Sequence, residues 1–139
     1  MNVRSRIKSG VRVGRNGLIN LLNEPRVQFG KLTPDVIPKA PGVYLVYEGD
    51  EPVYVGSSKN LRRRVRYQLL GARKHYLATQ MIRYRFHSKH KFQVHLMTQC
   101  SVRYMDTEGA DEAKWLEKFV AGVIRPIYNG GSKAFQYDK

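Results

Sequence analysis

Acidic side chains are missing from the whole middle of this 139-residue chain. No Asp or Glu lies between Glu51 and Asp106. The same stretch contains Lys59, Arg62, Arg63, Arg64, Arg66, Arg73, Lys74, Arg83, Arg85, Lys89, Lys91 and Arg103. The full chain has 25 Lys and Arg against 11 Asp and Glu, a formal net charge of +14. Since ordinary solvated surfaces mix both signs, a segment of one sign favours contact with phosphates over the alternative of a generally basic protein.

Cysteine and long apolar runs are also scarce. Cys100 is the only cysteine, which excludes an intramolecular disulfide and a cysteine cluster for zinc, and its position after residues 92–97 predicts a buried strand residue. No apolar run approaches the ~20 residues needed to span a membrane, and the N-terminus lacks an apolar signal region. We therefore expect a cytoplasmic protein with one globular domain and no membrane partner.

The first 40 residues differ in composition from the rest. Five basic residues, Arg4, Arg6, Lys8, Arg12 and Arg15, precede the first acid, Glu24. A short helix is predicted over residues 17–23, and prolines then interrupt the chain repeatedly before residue 42. We predict a basic N-terminal extension over residues 1–40, either an arm on nucleic acid or a flexible tail, and a folded domain over residues 41–139.

A β-hairpin is predicted at the start of that domain. Residues 43–47 and 53–55 are β-branched or aromatic, and Gly49 and Asp50 lie between the two runs. Such a pattern around a Gly-Asp turn is typical of two antiparallel strands.

Periodicity and helix breakers predict the later elements. Leu61, Val65 and Leu69 recur at i, i+4 and i+8 and indicate one apolar stripe on a helix. We further predict a helix within residues 76–84, a strand over residues 92–99 and a helix over residues 111–124. A small sheet with helices packed on it is an α+β fold.

Two tripeptides, Gly42-Val43-Tyr44 and Tyr54-Val55-Gly56, are followed by this arginine-rich helix and, much later, by Glu117 and Asn129. In this order and at these separations they resemble the GIY-YIG nuclease family, from roughly Pro41 to Gly130. The resemblance implies a central three-stranded antiparallel sheet flanked by helices. It also implies metal-dependent cleavage of a nucleic-acid backbone.

Tyr44 and Tyr54 stand on the two arms of the hairpin and can face the same side of the sheet. Arg64 lies at the edge of the apolar stripe and can lean toward them, where a fixed cation could stabilise charge developing on a phosphoryl group. Taken alone, the tyrosines are better explained as a core aromatic pair, and Arg64 as a surface arginine. The resemblance implies instead that both tyrosines line the active site, that Arg64 is the catalytic arginine, and that Gly42 and Gly56 are structural.

Glu117 lies at the border of the apolar face of the last predicted helix. It is either a salt-bridge partner or a ligand of Mg²⁺, and we favour a single-metal site because the surrounding surface lacks carboxylates. Mn²⁺ is expected to substitute. Glu112 competes, but the helix macrodipole explains an acid in a first turn. Asn129 matches the family's asparagine after the catalytic helix, although a turn before Gly130 would also favour asparagine.

Gln68 departs from the family pattern, because many members carry histidine or tyrosine four residues after the arginine. Tyr67 or His75 would then supply that function, and the general base is left open among Tyr44, Tyr54, Tyr67 and His75. The predicted catalytic set is Tyr44, Tyr54, Arg64, His75, Glu117 and Asn129.

Two functions follow. The first is a metal-dependent endonuclease that hydrolyses phosphodiester bonds, with duplex DNA as the expected substrate and a restriction, homing, repair or phage role left open. The second is a non-catalytic, basic nucleic-acid-binding protein. Residues predicted to contact nucleic acid are Lys59, Arg62, Arg63, Arg66, Arg73, Lys74, Arg83 and Arg85. Sequence specificity would come from the extension, from the basic middle segment or from a homodimer.

Overall fold

Four antiparallel strands form one sheet in the computed structural model, which describes residues 2–131 and 134–135. The strands are β1 (Val27–Gln28), β2 (Gly42–Glu48), β3 (Glu51–Ser58) and β4 (Cys100–Asp106). Their order across the sheet is β1-β4-β2-β3, which makes β3 an edge strand. The prediction of a three-stranded sheet is therefore wrong, because it omits β1. β1 has only two residues, too few for a period-two pattern to show in the sequence.

The predicted hairpin is confirmed by β2 and β3. Leu45 lies opposite Val55, and Val46 lies opposite Tyr54. Since side chains alternate along a strand, Tyr44 and Tyr54 share a face. Gly49, in the connecting turn, has φ +58, a conformation that glycine adopts without strain.

Helices cover both faces of the sheet. They are α1 (Val3–Asn23), the arginine helix (Arg62–Leu69, with wide π-type turns), α2 (Tyr76–Met81, continued by similar turns over Ile82–Phe86), α3 (Lys89–Gln99) and α4 (Ala110–Ile124). Single helical turns also lie at Phe29–Lys31 and Ile127–Gly130. The predicted stripe of Leu61, Val65 and Leu69 is fully buried. None of the helices in the described part of the chain is long and apolar enough to cross a membrane.

Residues 92–99 form the greater part of α3, so the predicted strand there is wrong. Phe92 and Leu96 are buried, whereas Val94 between them is 46% exposed. The buried residues are thus four positions apart, as on one face of a helix. The sequence did not show this, because apolar residues occur at every second position there, as in a strand. The strand begins only at Cys100, which is buried as expected, and burial together with the nearby Glu48 charge raises the pKa of its thiol to about 12.

The N-terminal residues pack against the rest of the chain. α1 is much longer than the predicted helix over residues 17–23. A Cβ at Gly14 would lie 2.5 Å from the Phe119 ring and one at Gly17 would lie 2.8 Å from Leu116, so these glycines allow α1 to approach α4 closely. The boundary at residue 40 stays a prediction, and residues 132–133 and 136–139 of the predicted 41–139 domain lie outside the described residues.

The two sheet faces bury different apolar clusters. Tyr44, Val46 and Tyr54 pack with the arginine helix, α2 and α3 on one face. Val43, Leu45 and Val55 pack with α1 and α4 on the other. A side chain at the free edge of β3 can therefore meet residues from both layers.

Candidate active site

Tyr44 and Tyr54 face the same side of the sheet, with ring centroids 6.2 Å apart. Tyr44 is fully buried and Tyr54 is 9% exposed. Burial raises the pKa of both phenols; the neighbouring Tyr54 adds to the effect on Tyr44, and the Glu117 charge adds to the effect on Tyr54. The Arg64 guanidinium acts in the opposite direction on both. Both phenols are therefore protonated at neutral pH.

Glycine at position 56 leaves space for the Tyr44 side chain. The strand register places Gly56 directly opposite Tyr44. A Cβ on Gly56 would overlap the Tyr44 hydroxyl group, and a Cβ on Gly42 would overlap the Met105 carbonyl oxygen and the Leu61 side chain. Any larger residue at either glycine would force the strands or these side chains to shift.

His75 lies against both tyrosines. Its ring centroid is 5.9 Å from that of Tyr44 and 5.8 Å from that of Tyr54. Nε2 is 2.7 Å from the Tyr44 oxygen, and Nδ1 accepts the Leu77 N–H at 3.1 Å, which caps α2. Burial lowers the pKa of His75 to about 3, and the charge of Arg64 acts in the same direction. The structure thus brings His75 to the tyrosines, whereas Tyr67 is 54% exposed.

Arg64 is half-buried and held by two acceptors. Its Nη1 donates to Gln68 Oε1 and to the Lys74 carbonyl, both at 3.1 Å. The charge of Arg64 bears on the pKa of Tyr44, Tyr54 and His75, so the guanidinium lies among these side chains. Gln68 therefore positions Arg64, a role that the sequence reasoning missed although the i, i+4 spacing could have suggested it.

Glu117 reaches the edge of β3 from α4. Its Oε1 accepts the Ser57 hydroxyl at 2.9 Å. It forms no salt bridge with any residue that the structure describes. Ser57 was not among the predicted site residues; its place two residues after Val55, on the α4 side of β3, is the signal that could have found it.

The surroundings of Glu117 fit a hard divalent cation. The carboxylate is half-buried, its Oε2 has no partner among the described residues, and its charge acts on the same two phenols as the charge of Arg64. Mg²⁺ commonly binds one or two carboxylates together with water and substrate phosphate oxygens. Glu112 instead accepts the Glu108 N–H at 3.2 Å near the start of α4, as expected for an acid in a first helical turn.

Asn129 supports the edge strand. Its Oδ1 accepts the Val55 N–H and its Nδ2 donates to the Val55 carbonyl, both at 2.9 Å. This pairing satisfies backbone groups that an edge strand would otherwise leave open. Val55 follows Tyr54, so the contact gives Asn129 a part in holding Tyr54 in place.

The residues predicted to contact nucleic acid differ in whether their side chains already form hydrogen bonds within the protein. Lys59, Arg63, Arg73, Lys74 and Arg83 are exposed. Arg62 donates from Nε to the Ile37 carbonyl at 2.7 Å and thereby anchors the N-terminal segment. Arg85 donates to Glu48 at 2.8 Å and to the Tyr128 hydroxyl at 2.7 Å. A role of these residues, or of the half-buried Arg66, on nucleic acid stays a prediction.

A second group of side chains that could bind a metal ion consists of Glu48 in β2, His95 in α3 and Cys100 in β4. Glu48 Oε2 is 2.7 Å from His95 Nε2 and 2.8 Å from Arg85 Nη1. The hydrogen bond with His95, followed by that from Arg85, lowers the pKa of Glu48 to about 2 despite its burial. Because a guanidinium already neutralises the carboxylate, we interpret this group as an ion network that joins β2 to the helices beside it.

The family model described as the GIY-YIG catalytic domain matches residues 40–121. The UvrABC system protein C of Synechococcus sp. (strain JA-3-3Ab) is 30% identical over 112 residues, which are 80% of this chain and 16% of that protein. The protein of the same name from Parasynechococcus marenigrum (strain WH8102) is 32% identical over 114 residues, 78% of this chain and 15% of that protein. The chain thus spans about a sixth of the length of these curated relatives.

Two solved structures are similar to part of this chain. The GIY-YIG N-terminal endonuclease domain of UvrC from Thermotoga maritima, bound to magnesium as its catalytic divalent cation, is 22% identical and has a TM-score of 0.46. A point mutant of that domain is 19% identical with a TM-score of 0.47. Each match covers 67% of this chain and 86% of the solved chain.

Proposed function

The chain belongs to the GIY-YIG catalytic domain family, which confirms the endonuclease class expected from the sequence, and we propose that it hydrolyses phosphodiester bonds in duplex DNA with the help of a divalent metal ion. The observation that carries this proposal is a cluster of two phenols, an imidazole and a guanidinium beside β3, whose phenols are also reached by the charge of a carboxylate. These are Tyr44, Tyr54, His75, Arg64 and Glu117.

A purely structural origin for this group is poorly supported. A cross-strand aromatic pair needs only apolar neighbours. A half-buried carboxylate without a salt bridge to any described residue costs desolvation energy that packing does not require. Such an arrangement is favoured where charge has to be stabilised on a bound phosphate.

Arg64 is the residue best placed to stabilise charge on the phosphoryl group. Gln68 and the Lys74 carbonyl hold its guanidinium before substrate binds, so little reorganisation is needed during the reaction. Tyr54 is the less buried phenol and can donate a hydrogen bond toward the substrate. Tyr44 lies behind it, where His75 contacts its oxygen.

Glu117 is the residue that would hold the metal ion. When bound, Mg²⁺ or Mn²⁺ supplies electrostatic stabilisation of phosphate charge and lowers the pKa of coordinated water. Ser57 orients the carboxylate by donating to Oε1, which leaves Oε2 available. Among the described residues, Glu117 is the carboxylate whose charge raises the pKa of both phenols.

The distribution of charge supports a nucleic-acid substrate. Exposed basic side chains on the arginine helix and the loop after it, including Arg63, Arg73 and Lys74, lie on the same side of the sheet as Tyr54. A surface of this kind attracts the phosphate backbone without sequence preference. Duplex DNA is the substrate that we propose, and a homodimer is one way in which the chain would gain sequence specificity.

The experiment is strand scission with purified protein. Supercoiled plasmid, linear duplex DNA, single-stranded DNA and RNA are incubated with Mg²⁺, with Mn²⁺ or with excess EDTA, and the ends are mapped. We expect nicking or linearisation of duplex DNA that EDTA abolishes. Binding that survives EDTA without scission of any substrate would favour the non-catalytic alternative, and scission of RNA alone would refute the DNA assignment.

A further inference from the structure

His75 forms hydrogen bonds through both ring nitrogens, and the partner of one nitrogen fixes the role of the other. The backbone N–H of Leu77 can only donate, so Nδ1, 3.1 Å away, has to be the acceptor and carries no proton. In a neutral imidazole the proton is then on Nε2. Nε2 lies 2.7 Å from the Tyr44 oxygen, so this nitrogen donates and the phenol oxygen accepts.

The groups around the ring do not favour a second proton. They are the phenols of Tyr44 and Tyr54 and the guanidinium of Arg64, while Leu77 presents its N–H to the remaining nitrogen. A charged imidazolium would place an N–H against the Leu77 N–H and would remove the cap of α2. With 1% of its surface exposed, His75 also lacks water that would stabilise the charge.

We infer that His75 is a positioning residue, which donates from Nε2 to the Tyr44 oxygen and is not the proton acceptor of the reaction. A general base needs a free lone pair within reach of the proton that it removes, and neither nitrogen of His75 has one. The role in catalysis rests on the proposed nuclease function, whereas the protonation state of the ring does not.

The hydrogen bond from His75 Nε2 also affects the partner to which the Tyr44 hydroxyl can donate. Because its oxygen accepts from His75, the Tyr44 O–H is left to donate to a different acceptor. His75 therefore fixes the Tyr44 oxygen as an acceptor, and the side chain of Arg64 also hydrogen-bonds to Tyr44. Through the contact of His75 a residue of the loop before α2 takes over a function that the family places on the arginine helix, where Gln68 holds Arg64 instead.

The first test measures the ring directly and needs no activity. Two-bond ¹H–¹⁵N correlation spectra of uniformly labelled protein report the tautomer of each histidine, and His75→Gln identifies the His75 signals. We expect the neutral Nε2–H pattern from pH 7.5 down to pH 5, and a shift of the Nε2 signal in Tyr44→Phe. An Nδ1–H pattern, or an imidazolium pattern at pH 6, would overturn the inference.

The second test separates donation from capping and from proton transfer. In His75→Gln the side-chain amide can still donate to Tyr44, but it cannot act as a base. In His75→Asn the shorter side chain can cap the Leu77 N–H but does not reach Tyr44. We expect single-turnover cleavage by His75→Gln within about tenfold of wild type, and a loss of roughly 10²-fold in His75→Asn, typical for a preorganised donor.

The alternatives give different results. If His75 were the general base, both variants would lose activity equally. If it served only as a helix cap, His75→Asn would keep the wild-type rate. Either result would overturn the inference. Absence of cleavage by the wild-type protein would refute the proposed function, but it would leave the spectroscopic result unaffected, so the two failures are distinguishable.

Discussion

Arg64→Ala tests the proposed active site most sharply, because neighbouring arginines provide matched controls. Arg64 is half-buried among Tyr44, Tyr54 and His75, whose pKa values its charge affects. The side chain of Arg63, one position earlier, is exposed and forms no hydrogen bond with the described residues. The two substitutions remove the same charge from the same helix and differ only in where the guanidinium lies.

The expected loss can be estimated from the contacts of Arg64. Removing one preorganised donor to a transition-state oxyanion typically costs ~10²-fold or more in rate, about 2.7 kcal/mol. The affinity for nucleic acid should change little, because the guanidinium is partly enclosed and held by Gln68 and the Lys74 carbonyl. Arg63→Ala should have the opposite profile, with a modest loss of affinity that grows weaker with salt and a nearly unchanged rate at saturation.

Single-turnover cleavage at saturating enzyme separates rate from affinity, and fluorescence anisotropy measures binding. Arg62→Ala should be checked by thermal unfolding, since loss of its contacts with the Ile37 and Asp35 carbonyls should destabilise the fold by about 1–3 kcal/mol. Equal saturated rates for Arg63→Ala and Arg64→Ala would remove Arg64 from the active site and would refute the geometric basis of the nuclease mechanism.

Three further predictions use other residues and conditions. Glu117→Gln should abolish cleavage and preserve binding, because the amide keeps the size but not the charge that holds the metal; a near wild-type rate would make Glu112 the next candidate. If about six phosphates are neutralised, log affinity for duplex DNA should fall with log salt with a slope of roughly −5, and a slope near zero would show that the acid-free segment does not contact the backbone. Burial holds the pKa of His75 near 3, so below its ordinary 6.5 the unfolded chain binds a proton that the folded one does not, and stability falls as pH falls. Between pH 7.5 and pH 5 the free energy of unfolding, measured by urea titration, should fall by about 2 kcal/mol more in the wild type than in His75→Gln. Identical losses would show that His75 is not the group responsible for the pH dependence.

Local sequence patterns predicted the elements that carry most of the site. The hairpin, the stripe of Leu61, Val65 and Leu69, and the last helix were all recognisable, because their repeats of two and of 3.6 residues record which side chains are buried. The same reasoning failed for residues 92–99. There, apolar residues at alternating positions were compatible with a strand, and only packing showed that Phe92 and Leu96 share the buried face of a helix.

The sequence by itself determined the family and the chemical types available to the site, and it predicts a partner of negative charge. These depend on which residues are present and in what order, from Gly42 to Asn129 and across the acid-free segment. Only the tertiary structure decided that His75 rather than Tyr67 meets Tyr44, that Gln68 holds Arg64, and that Asn129 pairs with the backbone of Val55. The two-residue strand β1 is a further example. Except for Gln68, these contacts join residues far apart in the chain. They form only when both sheet faces are packed, and no local repeat in the sequence encodes that packing.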